Sequence, residues 1–492
     1  MGGLFFAVYS GKHNIGIDFV NSFMKIKSRG SGSTEFITES STSIEKYKNR
    51  YSRHDYLTHN VHTFVYGYHR SVINDTSFNA DQPFVNPVHY KTLAYPELKN
   101  RPIRKLMCNG EIYNYLDIIN EELFGDIELS SSSDVEVILP LYIRYGLTDA
   151  LDKCSGEFAL VLTENTSAIL ECDIKVLVAR DPIGIRPLYL VSNVEKTFFL
   201  FVSELHAVPD YCKGNNWRTS VVPPGTFWSF NDRNDSYSFT RYFDIYEKYN
   251  IEKCVYLQPT PSTLASVYYS IRERLCDSVA FRIPSNNEIG ILLSDGFNSS
   301  LLLSILANEH PNVIVHAFSF GATSGKECIE SLRKSNPDFN ITHYNIQDTG
   351  IELPNDFETI VGPEDMGIYL LLKAASENNI KIVLHGGFLD VLFQSEHEKC
   401  LDGLANLHVD DLRRLDNVSG KFDIELRYPY LDKEFINIAM SIHPRLKAKQ
   451  IYNISQPSIS KYLVRRSFNN GFLPNELLWK TPSTLECRYT VF

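Results

Sequence analysis

Glu288-Ile289-Gly290-Ile291-Leu292-Leu293 is a short apolar run with β-branched residues, the pattern of a buried strand. It ends in a loop of mostly small residues, Ser294-Asp295-Gly296-Phe297-Asn298-Ser299-Ser300, and passes directly into a second apolar run over 301–306 at helical spacing. Strand, tight loop and buried helix in immediate succession leave few folds open. With further alternation of strands and helices downstream, the pattern predicts a parallel, doubly wound α/β sheet. Ligands of such sheets sit beyond the carboxyl ends of the strands, where Ser294 falls. A second strand, Ile382-Val383-Leu384, ends in His385-Gly386-Gly387 and places His385 at the same edge.

The chain has 492 residues, so two domains are the natural division. Residues 1–245 form the first, 246–262 a linker ending at Pro259 and Pro261, and 263–492 the second. In the first, 1–10, 158–162, 176–179 and 198–202 read as strands of one sheet system, Val222-Pro223-Pro224-Gly225 as a turn, and the Gly/Ser/Thr-rich stretch 28–43 as a mobile surface loop. The net charge of −11 argues against a nucleic-acid surface, which would normally be basic. No apolar run approaches the length that spans a bilayer, and the start lacks the charged region of a signal peptide. The nine cysteines show no CxxC pairing. They suit reduced thiols in the cytoplasm, or in a particle assembled inside the cell, and offer no metal site.

The motifs are more specific. Met1-Gly2-Gly3-Leu4-Phe5-Phe6 resembles the opening of class II, N-terminal-nucleophile glutamine amidotransferases, in which a cysteine stands at the second position. Cys108-Asn109-Gly110-Glu111-Ile112-Tyr113-Asn114, Ser133-Asp134-Val135-Glu136-Val137-Ile138 and Arg180-Asp181-Pro182-Ile183-Gly184-Ile185-Arg186-Pro187 are similar to that family's further motifs. In the second half, the Ser294–Ser300 loop resembles a pyrophosphatase loop, Ser-Gly-Gly-Leu-Asp-Ser-Ser. His385 to Phe393 lies where the same proteins have Ser-Gly-Glu-Gly-x-Asp-Glu-Leu-Phe. Glu425-Leu426-Arg427-Tyr428-Pro429 and Ser460-Lys461-Tyr462 resemble two more segments. The ordered series resembles the glutamine-dependent asparagine synthetases over nearly the whole chain.

The resemblance implies an α/β architecture with an α+β first domain: an N-terminal four-layer α/β/β/α amidotransferase sandwich, then a doubly wound parallel α/β pyrophosphatase-like domain. It also implies roles. Asn109 and Gly110 stand at the oxyanion-hole positions. Glu111, Asp134 and Arg50 (or Arg53) stand at the glutamine-binding positions. Ser294, Asp295, Gly296, Asn298, Ser299 and Ser300 form the nucleotide loop. His385, Gly386, Gly387, Asp390, Arg427 and Lys461 line the synthetase site. His385 is a base or a satisfied buried histidine; Arg427 and Lys461 are active-site residues or structural ion-pair partners. The family would use ATP and Mg²⁺.

The departures are as informative. Glycine at position 2 has no side chain and cannot form an acyl-enzyme. Cys108 beside the oxyanion-hole position reads as a packed thiol, not a replacement. Asp295 replaces a loop glycine, and a carboxylate ~4 Å from a phosphate costs roughly 4 kcal/mol per charge pair at an effective dielectric near 20. Asn298 replaces a metal-holding aspartate, and Gly387 and Val391 replace acidic residues, leaving Asp390. The expectation is a homologue that has lost catalysis, with no cofactor confirmed and small-molecule turnover doubtful. It would serve in binding or structure through protein partners or self-association, in a large oligomer or a virus particle. Against it stand a working synthetase fed by ammonia or glutamine and a glutamine or nucleotide sensor.

Overall fold

A computed structural model of the chain describes residues 2–10, 16–40, 43–45, 62–73, 75, 77–85, 89–90, 102–123, 127–165, 174–321, 324–347, 350, 353, 365–447 and 460–480. The chain forms two compact units, Met1–Asp244 and Ile245–Phe492. The stretch 246–262 belongs to the second unit and is not a bare linker. It carries a helical turn, Ile245–Lys248, and the start of the long helix Pro261–Phe281. Thr260 caps that helix by accepting from Thr263 N at 3.2 Å, and proline occupies its first turn, where no intrahelical donor is needed.

The first unit is built on two antiparallel sheets. Among the described residues, one runs Trp217–Val221, Tyr189–Asn193, Phe198–Val202, Gly2–Ser10, His62–Arg70, Thr34–Ser40, Ser43–Glu45. The other runs Ser236–Arg241, Thr226–Asn231, Ile174–Arg180, Gly156–Asn165, Ile103–Ile112, Phe84–Val85. The strands 158–162 and 176–179 therefore share the second sheet, while 198–202 lies in the first.

Two-residue alternation sorts the layers. Phe5, Ala7 and Tyr9 face out and pack on Phe19 and Phe23 of the helix Gly16–Met24. Leu4, Phe6 and Val8 face in, against Met107, Val161 and Val176 of the other sheet. The far face of that sheet, through Leu106, Leu160 and Leu162, covers Leu141, Leu147 and Leu151 of the helix Ile138–Lys153. The order of layers is helix, sheet, sheet, helix.

The reading of 28–43 as a loop is corrected. Thr34–Ser40 is a strand paired along its length with His62–Arg70. Thr34, Phe36, Ile37 and Thr38 are β-formers, and the neighbouring glycines and serines masked that signal.

The second unit holds a parallel sheet in the order Ile341–Ile346, Ile314–Phe320, Glu288–Leu292, Ile382–Leu384, Glu425–Arg427. The first three strands in sequence run outward in one direction and the last two in the other. The reversal falls between Glu288–Leu292 and Ile382–Leu384, which opens a crevice at their carboxyl ends. The loops beginning at Ser294 and His385 both reach it. The helix Phe297–Glu309 follows the first loop and is buried on almost every side, which explains its lack of amphipathic pattern.

Candidate functional sites in the two units

Gly2 opens the central strand of its sheet. Its N–H donates to Asn109 Oδ1 at 2.8 Å, and its carbonyl accepts from Arg29 Nε at 3.2 Å. Arg29 is fully buried and pairs with Glu204 at 2.6 Å. A Cβ placed on Gly2 would lie 2.7 Å from the Tyr68 ring carbon that bears the hydroxyl, and closer still to the oxygen itself. Real Cβ atoms do not approach so near, so Tyr68 occupies the volume that a side chain at position 2 would need. Tyr68 is anchored there by donating to the Cys108 carbonyl at 2.7 Å. Gln82 grips the backbone of the same residue on both sides, donating to Cys108 O at 3.1 Å and accepting from Cys108 N at 2.6 Å.

Three of the expected residues of this half, Gly110, Glu111 and Asp134, line one cavity of about 50 Å³ together with Tyr68, Arg70 and Gln82 among others, while Gly2 and Asn109 do not line it. Such a volume holds a few water molecules. Asp134 Oδ2 accepts from Ile112 N at 2.5 Å, which ties the motif around 109–114 to the one around 133–138. Gly110 is required by close approach: a Cβ there would sit 2.7 Å from Phe158 Cα on the neighbouring strand. Asn109 spends its oxygen on Gly2, and its buried Nδ2 has no hydrogen-bond partner among the described residues. Burial pushes the Cys108 thiol well up, with Asp134, Cys154 and Glu111 adding to the effect, so it stays protonated and unreactive. Arg50 and Arg53 lie outside the described residues. Sequence reasoning missed Tyr68 and Gln82. The two-residue period of His62–Arg70 could have placed Tyr68 beside the first strand, where it pairs with Leu4.

In the second unit, the Asp295 carboxylate is engaged by a residue outside its own loop. Its Oδ1 accepts from the N–H of Gly325 at 2.9 Å, at the start of the helix Lys326–Ser335. Gly325 takes a left-handed conformation at φ 75°, and the carboxylate satisfies a donor at the positive end of that helix.

Asn298, Asp390 and Lys461 meet in one network. Lys461 Nζ lies 2.6 Å from Asp390 Oδ1 and donates to Asn298 Oδ1 at 2.9 Å, while Asn298 Nδ2 donates to Asp390 Oδ2 at 3.2 Å. Mg²⁺ beside a nucleotide is held by one or two protein carboxylates together with phosphate oxygens and waters. Here one ligand is a neutral amide, and the carboxylate already pairs with an ammonium group, so the residues present do not fit the metal. Among the described residues no cluster of three or more histidines, cysteines or acids could hold a metal ion.

Ser294 and Ser299 hydroxyls bond each other at 3.0 Å, and Gly296 N donates to Ser294 Oγ at 3.2 Å, which closes the loop on itself. Gly386 packs on Ser299, where a Cβ would come within 3.0 Å of its backbone, so the two loops touch. Ser300 is buried in the first turn of the helix Phe297–Glu309. His385 is fully buried, and its Nδ1 accepts from Gly387 N at 3.0 Å. A side chain at Gly387 would reach 2.8 Å from that nitrogen, so glycine keeps this bond possible. Arg427 is buried. It pairs with Glu425 at 2.6 Å and donates to Arg282 O at 3.0 Å, the arrangement of a structural ion pair.

Comparison with known proteins gives the class directly. Residues 38–221 match the glutamine amidotransferase domain, and 270–397 with 393–484 match the asparagine synthase domain. A probable asparagine synthetase (glutamine-hydrolyzing) of Acanthamoeba polyphaga mimivirus is 28% identical over 453 residues, 85% of this chain and 76% of that protein. A probable asparagine synthetase of Schizosaccharomyces pombe is 27% identical over 422 residues, 76% of this chain and 70% of its own. The chain belongs to the glutamine-dependent asparagine synthetase family. Among solved structures, a glutamine phosphoribosylpyrophosphate amidotransferase from B. subtilis aligns over 85% of this chain and 96% of its own, at 14% identity and a TM-score of 0.37. No helix among the described residues is long and apolar enough to cross a membrane.

Proposed function

We propose that this chain is a non-catalytic member of its family, serving in binding or structure within an assembly. One observation carries the reading: position 2 is a glycine, and Tyr68 fills the space in which a nucleophilic side chain would stand. A nucleophile must be present and within reach of the amide carbon, and this site supplies neither. The second unit supports the same reading. The ammonium group of Lys461 engages Asp390 and Asn298, where a nucleotide-bound dication would need free anionic ligands. The test is glutamate release from glutamine by the purified chain. The reading expects none above the uncatalysed rate, and steady release that scales with protein concentration would refute it.

A second reading has its own support. An ammonia-fed synthetase needs no residue 2 nucleophile, and Asp295 is engaged by Gly325 instead of guarding the loop. The relatives carry the name asparagine synthetase. Under this reading ATP and aspartate bind in the switch-point crevice, and Lys461 swings from Asp390 to phosphate. Pyrophosphate release in the presence of ATP, Mg²⁺, aspartate and ammonium separates the two.

A further inference from the structure

The six-stranded sheet of the first unit ends on Ser236–Arg241, which pairs on one side with Thr226–Asn231 and is unpaired on the other among the described residues. All six residues are exposed, Tyr237 at 44% and Phe239 at 49%. Open edges of this kind are normally blunted by lysine, proline or a bulge. This strand carries none of them, and its register with Thr226–Asn231 is unbroken. Its side chains are held in place. The Tyr237 ring packs on Phe199 and Trp228, with centroids 5.1 and 6.5 Å away, and Ser238 Oγ bonds Ser229 Oγ at 2.8 Å on the opposite face.

Ladder geometry fixes which backbone groups of this strand are free. Tyr242 N donates to Gly225 O at 2.9 Å, in register with the pairs from Thr226 with Arg241 to Asn231 with Ser236. Hydrogen-bonded pairs alternate along an antiparallel ladder. Ser236, Ser238 and Thr240 therefore bond inward to the neighbouring strand, and Tyr237, Phe239 and Arg241 turn their N–H and C=O groups outward. The sequence around Ser238 complements its own reverse. When two copies of Asp235-Ser236-Tyr237-Ser238-Phe239-Thr240-Arg241 run antiparallel about Ser238, aspartate meets arginine, serine meets threonine and tyrosine meets phenylalanine. The charges at its ends are open to solvent, with side chains 62% exposed at Asp235 and 57% at Arg241. Asp235 lies 3.3 Å from His62 Nε2, and Arg241 pairs with Asp244 at 2.8 Å.

We propose that Ser236–Arg241 docks on the same strand of a second copy of this chain, forming a twofold homodimer in which the sheet continues across the seam. A twofold contact requires a patch that complements itself, and this edge does so in charge, in ring pairing and in hydrogen bonding. Tyr237 of each copy exchanges both its backbone bonds with Phe239 of the other, and Asp235 faces Arg241 at both ends. Opposed aromatic pairs and opposite charges are the cross-strand pairs that stabilise an antiparallel seam. The match lies within one strand, so a second copy supplies all of it. This inference goes beyond the non-catalytic role proposed above and holds whether or not either unit turns over substrate.

The test is sedimentation of the full-length chain, with variants that read the register. The unmutated chain is expected to sediment as a dimer at micromolar concentration. At the axis the two copies of residue 238 form a non-hydrogen-bonded pair with Cα atoms about 4.5 Å apart, within disulfide reach. Mild oxidation of Ser238→Cys should therefore give a covalent dimer, while Thr240→Cys, whose two copies are offset along the seam, should stay uncrosslinked. Asp235→Arg sets like charges against each other at both ends and should weaken the dimer about tenfold. Adding Arg241→Asp restores opposite charges and should recover the affinity, which a merely misfolded variant could not do. A chain that sediments as a monomer at tens of micromolar would overturn the proposal. So would a dimer in which Ser238→Cys fails to cross-link, or one that Asp235→Arg leaves unchanged.

Discussion

At the scale of single residues, the pair Gly2 and Tyr68 makes a prediction that glycine alone would not. Replacing the side chain without clearing its space should fail. Gly2→Cys is expected to release no glutamate from glutamine and to destabilise the first unit by about 1–3 kcal/mol, the usual cost of overpacking a tight site. Urea denaturation reads the second effect, and an unchanged midpoint would show that Tyr68 yields freely. His69, on the same strand as Tyr68, gives a pH prediction. Its ring stacks on Phe23 with centroids 3.8 Å apart, with Nε2 at 3.0 Å from Phe23 O and Nδ1 at 2.9 Å from Thr34 Oγ1. Burial lowers its pKa to about 4, only partly opposed by the Phe23 carbonyl. A histidine that resists protonation when folded accepts it near 6.5 when unfolded. Its contribution to stability is therefore complete above pH 6.5 and declines as pH falls from 6.5 towards 4. An NMR titration should show the His69 ring neutral at pH 5, and a midpoint near 6.5 would contradict the packing described.

At the scale of elements, the helix Lys326–Ser335 depends on a residue thirty positions earlier. Asp295→Ala removes the acceptor for Gly325 N and should cost about 1 kcal/mol, the common value of a lost helix cap, read as a lower thermal midpoint. Asp295→Gly should cost a similar amount; if either variant is neutral, the carboxylate serves the loop and not the helix. Elements also show where the sequence was legible. The strand, loop and helix beginning at Glu288 were readable because a run of buried apolar residues has only one place in a parallel sheet. Pro261 was readable as a break, but the same residue after Thr260 also starts a helix, and the capping geometry decided between them. The strand Thr34–Ser40 was hidden because its pairing partner lies beyond 60, and pairing at that distance leaves no local trace. Side-chain direction was likewise invisible: composition told that Asp295 was acidic, not that it would bond to Gly325.

At the scale of the whole molecule, two sets of departures fall in two units that are separately compact. The first unit keeps the bonds of Asn109 to Gly2 and of Asp134 to Ile112, while position 2 carries no side chain. In the second, Lys461 pairs with Asp390 and bonds to Asn298. Retained framework with altered chemistry is what a fold kept for its surfaces would look like, since a fold alone does not confer activity. If Lys461 is the internal substitute for a cation, Lys461→Met should raise affinity for Mg²⁺ at Asp390, measured by calorimetry without nucleotide; no change would leave the Asn298 amide as the sole deficit. A non-catalytic role requires that neither unit turn over its family's substrates. Pyrophosphate release by the purified chain given ATP, Mg²⁺, aspartate and ammonium tests it most directly: no release above the protein-free control is predicted, and sustained release coupled to asparagine formation would contradict it.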